Sequence, residues 1–308
     1  MPELRFDDRV AVVTGAGRGL GRCYALLLAE RGARVVVNDP GGSMRGESAD
    51  SGVAAAVVAE IEAAGGSAVA STDSVATPEG GRAIIDTALE RFGRLDILVH
   101  NAGTVRYGSL TELSYDDFEA VVDVHLRGAF HTVRAAFPVM SAAGYGRVVL
   151  TSSIGGLYGN RSVANYAVAK AGMIGLSNVV ALEGADVGVR SNIIVPSAVT
   201  RMAAGIDTSA YPDMRPELVA PAVGYLAHES CVLSGEMLVA IAGRIGRAYI
   251  AETPGVYQPS WTVDEVAARI DDIRNTDNSW ILPTRSAHAD HIGRSFAMAT
   301  QASSTEGK

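Results

Sequence analysis

From Val10 onward, short β-branched runs alternate with long alanine-rich stretches, and this alternation narrows the possible folds more than any other feature. Runs such as Val10-Ala-Val-Val and Val35-Val-Val37 are apolar throughout, as strands covered on both faces require. Strand, crossover helix and strand make one βαβ unit, and its repetition builds a parallel sheet. The pattern predicts seven strands, near 10–14, 34–38, 67–71, 95–99, 146–152, 188–195 and 236–241. Thr77 before Pro78 and Ser114 before Asp117 mark helix starts between them. The fold class that follows is α/β: a doubly wound, seven-stranded parallel sheet with helices on both faces and a C-terminal extension. Residues 1–245 are read as one domain and 246–308 as the extension, with one short helix near 263–274 opened by Thr262 and Glu265, and a frayed end.

Composition excludes several function classes. Hydrophobic residues make up 48% of the 308, enough apolar surface for one large core. The formal charge of −8 has the wrong sign for a nucleic-acid binder. Cys23 and Cys231 are the only cysteines, so neither a disulfide framework nor a zinc spacing can be drawn. His288-Ala-Asp-His291 is too small a set to close a metal site, and no metal is assigned. No membrane span or secretion signal is read, and a cytoplasmic location is expected.

The first strand runs into Thr14-Gly-Ala-Gly-Arg-Gly-Leu-Gly21, which opens a helix. In that context a glycine turn brings backbone amides and a helix N-terminus to a pyrophosphate, the Rossmann-type arrangement. Gly15, Arg18, Gly19 and Leu20 are therefore candidate cofactor contacts, although Gly15, Gly19 and Gly21 are spaced more widely than G-x-G-x-x-G. Asp39 ends the second strand, where a carboxylate accepts bonds from ribose hydroxyls and repels a 2′-phosphate; this favours NAD over NADP, with Arg18 arguing weakly the other way. Asp73 and Asn101-Ala-Gly103 lie just beyond the third and fourth strands, where open α/β sheets bind ligands. The Gly- and Ser-rich loop at 40–50 is expected to order when cofactor binds.

Tyr166 and Lys170 stand four apart in a helical segment near 164–183 and share one face. A phenol titrating near 10 is a poor base, but positive charge from Lys170 and an oxidised nicotinamide favours its phenolate. Ser153, after the fifth strand, is placed to hydrogen-bond a substrate oxygen while Tyr166 exchanges the proton. The small residues of that segment, among them Ala167, Ala171 and Gly175, suit either core packing or a subunit interface.

With these pieces in order, the chain resembles the short-chain dehydrogenase/reductase family over about residues 4–245. Within it, stretches including Val35-Val-Val-Asn-Asp39 with Gly41-Gly42, Val124-His-Leu-Arg-Gly128 and Leu157-Tyr-Gly-Asn160 resemble the (3R)-hydroxyacyl-CoA dehydrogenase units of peroxisomal multifunctional enzyme type 2. The resemblance implies NAD, a 3-hydroxyacyl-CoA substrate and a homodimer or homotetramer. It also implies a relay role for His125, where most of the family has asparagine, and a nicotinamide contact from Thr200 after Pro196. Here Ser197 stands in place of the usual glycine. The rival substrate class is a hydroxysteroid or other ketone; the rival of another kind is a non-catalytic NAD-binding scaffold.

Overall fold

The computed structural model describes residues 3–47, 49–200, 207, 209–284 and 286–306. Sequence alone reads segment 197–216 as one of the loops that shape the substrate pocket and sets Arg201 aside as a surface charge; residues 201–206 and 208 lie outside the described residues. The chain forms two compact units, Met1–Arg247 and Ala248–Lys308.

The strands are β1 (Val10–Thr14), β2 (Arg34–Asn38), β3 (Ser67–Ser71), β4 (Ile97–His100), β5 (Gly146–Thr151), β6 (Val189–Ser197), β7 (Met237–Ile241) and β8 (Arg244–Ala248). They form a single sheet in the order β3-β2-β1-β4-β5-β6-β7-β8. From β3 to β7 every ladder is parallel. The helices are α1 (Gly19–Glu30), α2 (Gly52–Ala63), α3 (Pro78–Phe92), α4 (Tyr115–Val122), α5 (Gly128–Ala142), α6 (Ile154–Tyr158), α7 (Ala164–Gly184) and α8 (Ala220–Ala227). The second unit carries α9 (Val263–Ala268), α10 (Ile270–Ile273) and α11 (Ala287–Glu306).

Alternation along each strand divides the sheet's side chains between two helix layers. Val13, Val35, Val37 and Val99 meet Tyr24 and Leu28 of α1, Val57 and Ile61 of α2, and Val223 and Leu226 of α8. Val12, Val36, Leu98 and Val148 are equally buried but point to the other layer, built from α3, α5 and α7. Burying each such Val, Leu or Ile contributes roughly 1.5–3 kcal/mol, and the two layers together hold the sheet.

Local signals act where the sequence places them. Thr77 caps α3 by accepting from Gly80 N at 3.1 Å, and Thr262 and Glu265 form a complete capping box. At Ser114 only half a box forms: its hydroxyl accepts from Asp117 N at 3.1 Å, while the Asp117 carboxylate turns to Arg106.

Three expectations are corrected. The sheet has eight strands rather than seven, because Ala242 and Gly243, both at positive φ, make a two-residue turn that folds β8 back along β7 as an antiparallel edge. Alanine rarely takes that conformation, so Ala-Gly carries little hairpin signal. The segment expected as one helix near 263–274 divides into α9 and α10. Finally, the tail is not limited to one short helix and a frayed end: α11 runs from Ala287 to Glu306. No described helix is long and apolar enough to cross a membrane.

Gly21 sets how closely α1 approaches the turn before it. A Cβ there would lie 2.2 Å from the Gly15 carbonyl oxygen and 2.6 Å from Asn101 Nδ2. Gly21→Ala is expected to cost about 1–3 kcal/mol in urea unfolding, the usual penalty of overpacking. An unchanged unfolding midpoint would show that α1 can shift freely against that turn.

Candidate active site

β1 and β4 are adjacent, yet α1 leaves to one face and α5 to the other, so a crevice opens at the carboxyl ends of the strands. A cavity of about 660 Å³ occupies it. Its walls include Gly15, Arg18, Gly19, Leu20, Asp39, Asn101, Ala102, Gly103, His125, Ser153, Tyr166, Lys170, Pro196 and Thr200. Residues 140 or more apart in sequence meet here because each follows a parallel strand or faces its end.

The turn after β1 is held against the turn after β4. Thr14 Oγ1 accepts from the backbone N–H of Asn101 and of Ala102, each at 3.1 Å, and Asn101 Nδ2 donates to the Gly15 carbonyl at 3.1 Å. Gly15 has φ 61°, and a Cβ on it would stand 2.7 Å from Ala102 Cα, so both conformation and space demand glycine. Asp39 closes the side of the turn: Oδ2 accepts from Gly17 N at 3.0 Å and Oδ1 from Gly41 N at 2.7 Å. Thr200 faces Gly19, where a Cβ would lie 3.4 Å from its methyl group.

A dinucleotide suits these residues. α1 begins at the cavity with no side-chain cap and no acid in its first turn, leaving its N-terminal amides to an anionic group. Among the described residues, four that line the cavity carry buried polar atoms without a partner: Asn38 Oδ1, Thr104 Oγ1, His125 Nδ1 and Thr151 Oγ1. Such atoms fit a site that a polar ligand and its waters complete.

Asp73 is not brought into this set. Its carboxylate accepts from Ser71 Oγ at 3.0 Å, its carbonyl accepts from Asn38 Nδ2 at 2.9 Å, and Ser74 and Val75 line the cavity instead. In the loop at 40–50, the Met44 carbonyl accepts from Val105 N at 3.0 Å. Sequence reasoning did not single out Ser43, Gly46, Thr104 or Thr151 as cavity residues. Thr104, directly after Asn101-Ala-Gly103, and Thr151, two residues before Ser153, had a motif beside them to point there.

Ser153 caps α6, its hydroxyl accepting from Gly155 N at 3.1 Å. A Cβ on Gly155 would lie 3.6 Å from both Ser153 Oγ and Tyr166 Cε1, so this glycine leaves open the space that the two groups share. Tyr166 and Lys170 lie on one face of α7, with the ammonium 5.6 Å from the phenol ring centre. Lys170 Nζ donates to the Thr151 carbonyl at 2.5 Å.

The electrostatics depart from the sequence reading, in which Lys170 draws the phenol down. Burial pushes the Tyr166 phenol up, with a hydrogen bond from Ser153 working the other way, and burial pulls Lys170 down to about 7. Each group is driven toward its neutral form, because a low-dielectric site penalises either charge alone.

His125 sits on a π-helical turn, Asp123–Arg127, between α4 and α5. That turn is a local departure from the α-helix of a kind common at functional sites. The ring meets Tyr166 edge to face with centres 5.2 Å apart, and Nε2 lies 2.7 Å from the Thr104 carbonyl oxygen. Burial, then the neighbouring Lys170, hold the imidazole well below its usual range, and hence neutral.

The family profile described as short chain dehydrogenase matches residues 9–210. Peroxisomal multifunctional enzyme type 2 of Drosophila melanogaster is 46% identical over 293 residues, covering 94% of this chain and 48% of that protein. The full-length structure of that enzyme superposes with a TM-score of 0.80 at 39% identity, over 96% of this chain and 50% of the other. A crystal structure of a short chain dehydrogenase from Mycobacterium avium gives 0.76 at 41% identity, over 87% and 94%. The 3-oxoacyl-[acyl-carrier-protein] reductase of a Synechocystis species is 42% identical over 61% of this chain and 73% of its own length. The chain spans about half the length of the multifunctional relative.

The depressed Lys170 has a consequence for stability. The unfolded chain, with lysine at its usual 10.5, binds one more proton than the folded chain between about pH 7 and that value. Stability contributed at this site therefore rises with pH across that window, by roughly 1.4 kcal/mol per unit. Lys170→Met removes the slope, so wild type should gain on the variant as pH goes from 7 to 9 in chemical unfolding. Parallel curves would mean that Lys170 is not desolvated.

Proposed function

The chain belongs to the short chain dehydrogenase family, NAD(P)-dependent oxidoreductases acting on CH–OH groups, and on that premise we propose that it oxidises a (3R)-3-hydroxyacyl-CoA to the 3-oxoacyl-CoA with NAD. The observation that carries the reaction is the meeting of Ser153, Tyr166 and Lys170 in one cavity with the Asp39 carboxylate. The substrate class rests on likeness along nearly the whole chain to a multifunctional enzyme, and on a relative named for a 3-oxoacyl thioester.

Gly15, Arg18, Gly19 and Leu20 hold the dinucleotide's phosphates, Asp39 its adenosine ribose, and Asn101, Ala102, Gly103, Pro196 and Thr200 the remainder. When bound, the cofactor supplies the hydride acceptor. Ser153 orients the substrate hydroxyl, and Tyr166, once its own phenol proton has passed to solvent, takes the hydroxyl proton as a phenolate while the C–H bond breaks. Lys170, held by the Thr151 carbonyl, brings a positive charge beside the phenol when protonated, which offsets the burial that keeps Tyr166 neutral.

NAD is preferred because both Asp39 oxygens are already fixed by backbone amides, and the carboxylate cannot turn away from a 2′-phosphate. Two like charges about 4 Å apart cost on the order of 4 kcal/mol at an effective dielectric near 20. Arg18 does not offset this, since its guanidinium reaches toward the Gly42 carbonyl at 3.5 Å.

The chain works as a homo-oligomer. Val168, Val179 and Leu182 of α7 are 50%, 49% and 43% exposed, and with Gly175 they fall on one helical stripe. Free, buried Cys23 and Cys231 suit a reducing compartment, the cytosol of the sequence reading or the peroxisome for which the multifunctional relative is named.

NADH formation across 3-hydroxyacyl-CoA thioesters of both configurations, with hydroxysteroids and NADP as comparisons, tests this reading. Turnover of a (3R) thioester with NAD supports it; activity only on steroids, or only with NADP, overturns it. Tyr166→Phe should lower kcat by roughly 10²–10⁴-fold, the range for losing a general acid–base, while NADH binding persists. Turnover near the wild-type rate in this variant would remove Tyr166 from the chemistry.

For His125, whose ring meets Tyr166 edge to face and whose Nδ1 has no partner, we propose a supporting part in the proton relay. His125→Asn should keep most turnover and His125→Ala should lose at least tenfold with an altered pH profile. Small changes in both would leave His125 as packing only.

A further inference from the structure

The loop at 40–50 forms one wall of the cofactor end of the cavity, through Pro40, Gly42, Ser43 and Gly46. Its tip is fastened to elements that belong to the other end. Val105 N donates to the Met44 carbonyl at 3.0 Å, and Arg106 donates to the Arg45 carbonyl through Nε at 3.2 Å and Nη2 at 3.0 Å. The third donor of Arg106, Nη1, goes to Asp117 Oδ1 at 2.8 Å, and Arg45 Nη2 reaches the same oxygen at 3.4 Å.

Asp117 therefore gathers two guanidiniums from two loops at one oxygen, in the first turn of α4. Its own backbone carbonyl and that of Arg106 both accept from Asn165 Nδ2, each at 3.1 Å. Asn165 is fully buried and directly precedes Tyr166, whose N–H it accepts at 2.8 Å. An unbroken series of hydrogen bonds thus runs from the cofactor loop through Arg45, Asp117 and Arg106 to the turn of α7 that carries the tyrosine.

Neither end explains this arrangement alone. A loop needing only closure has its internal bonds, Asp50 N to the Pro40 carbonyl and Gly46 N to the Ser43 carbonyl. A helix start needing only a cap has Ser114. The Asp117 carboxylate and Arg106 are spent on joining the two.

Resting on the cofactor reading above, we propose that Asp117 is a positioning residue: with Arg106 it ties the cofactor loop to the Tyr166 turn, so that bound dinucleotide is released slowly and steadies the tyrosine before substrate arrives. The tie is a set of bonds with two discrete states, made and broken, and a ligand against the loop favours the made one. By reciprocity, whatever loosens the tie loosens the cofactor.

The test reads cofactor release and local exchange on the full chain, with no substrate present. Stopped-flow displacement of NADH, with NADPH beside it, is compared for wild type, Arg45→Ala, Asp117→Asn and the double variant. Amide hydrogen exchange is followed at 40–50 and 164–168 with and without NADH. Release should quicken about tenfold in Asp117→Asn and severalfold in Arg45→Ala, with the double variant no faster than Asp117→Asn because the two act through one contact. NADH should protect 164–168 in wild type and no longer do so in Asp117→Asn. The Arg45 side chain is 54% exposed, so Arg45→Ala reads the tie without disturbing the core.

Release within twofold of wild type in both single variants, or undiminished protection of 164–168 in Asp117→Asn, overturns the tie while leaving the oxidoreductase reading intact. Faster release in the variants of a chain that oxidises no hydroxyacyl thioester keeps the tie and discards that substrate.

Discussion

Two strands, β1 and β4, end side by side and hand the chain to opposite faces of the sheet, and everything at the site depends on how their turns are held together. One hydroxyl does much of this. Thr14 Oγ1 accepts from two successive amides, Asn101 and Ala102, while the Asn101 side chain returns a bond to the Gly15 carbonyl. Without that clasp the glycine turn would have no wall at its back, and the first amides of α1 would not be aimed into the crevice. The glycines follow from the clasp as much as from the ligand: Gly15 and Gly21 are small because Ala102, Asn101 and the turn itself leave no room.

Burial tunes the chemistry more than pairwise charge does. Tyr166, Lys170 and His125 lie in one desolvated pocket, and each is displaced toward its uncharged form. A residue series chosen for proton exchange thereby starts neutral, with charge appearing only when a proton moves between partners or when a charged ligand enters. The Thr151 carbonyl at Lys170 and the Thr104 carbonyl at His125 hold these side chains in place without adding a counter-charge. A carboxylate in either position would fix the ammonium or an imidazolium permanently and remove its ability to respond.

Much of this was legible in the residues. Val10–Thr14 and Arg34–Asn38 occupy the predicted strand positions, since apolar β-branched runs between helical segments leave no other assignment. The four-residue spacing of Tyr166 and Lys170 placed them on one face of α7, because helical geometry is local. Less was legible where a residue's state depends on distant packing. β8 hangs on a turn of ordinary residues in uncommon dihedrals, and the π-helical turn at His125 leaves no mark in composition. Asp73 looked like Asp39, a carboxylate just past a strand, but Ser71 and Asn38 engage it while backbone amides turn Asp39 to the cavity.

The sequence by itself determined the alternation of strands and helices from β1 to β7, the glycine turn, the family and the shared helix face of Tyr166 and Lys170, because periodicity and motif spacing are properties of neighbours along the chain. Only the tertiary structure decided which carboxylate lines the cavity, which way burial displaces Tyr166 and Lys170, and that Arg45, Arg106, Asp117 and Asn165 form one series of bonds. Those outcomes depend on desolvation and on contacts between residues far apart in the chain, such as Arg45 with Asp117 and Arg106 with Asn165, and on which surface each strand end is given to cover.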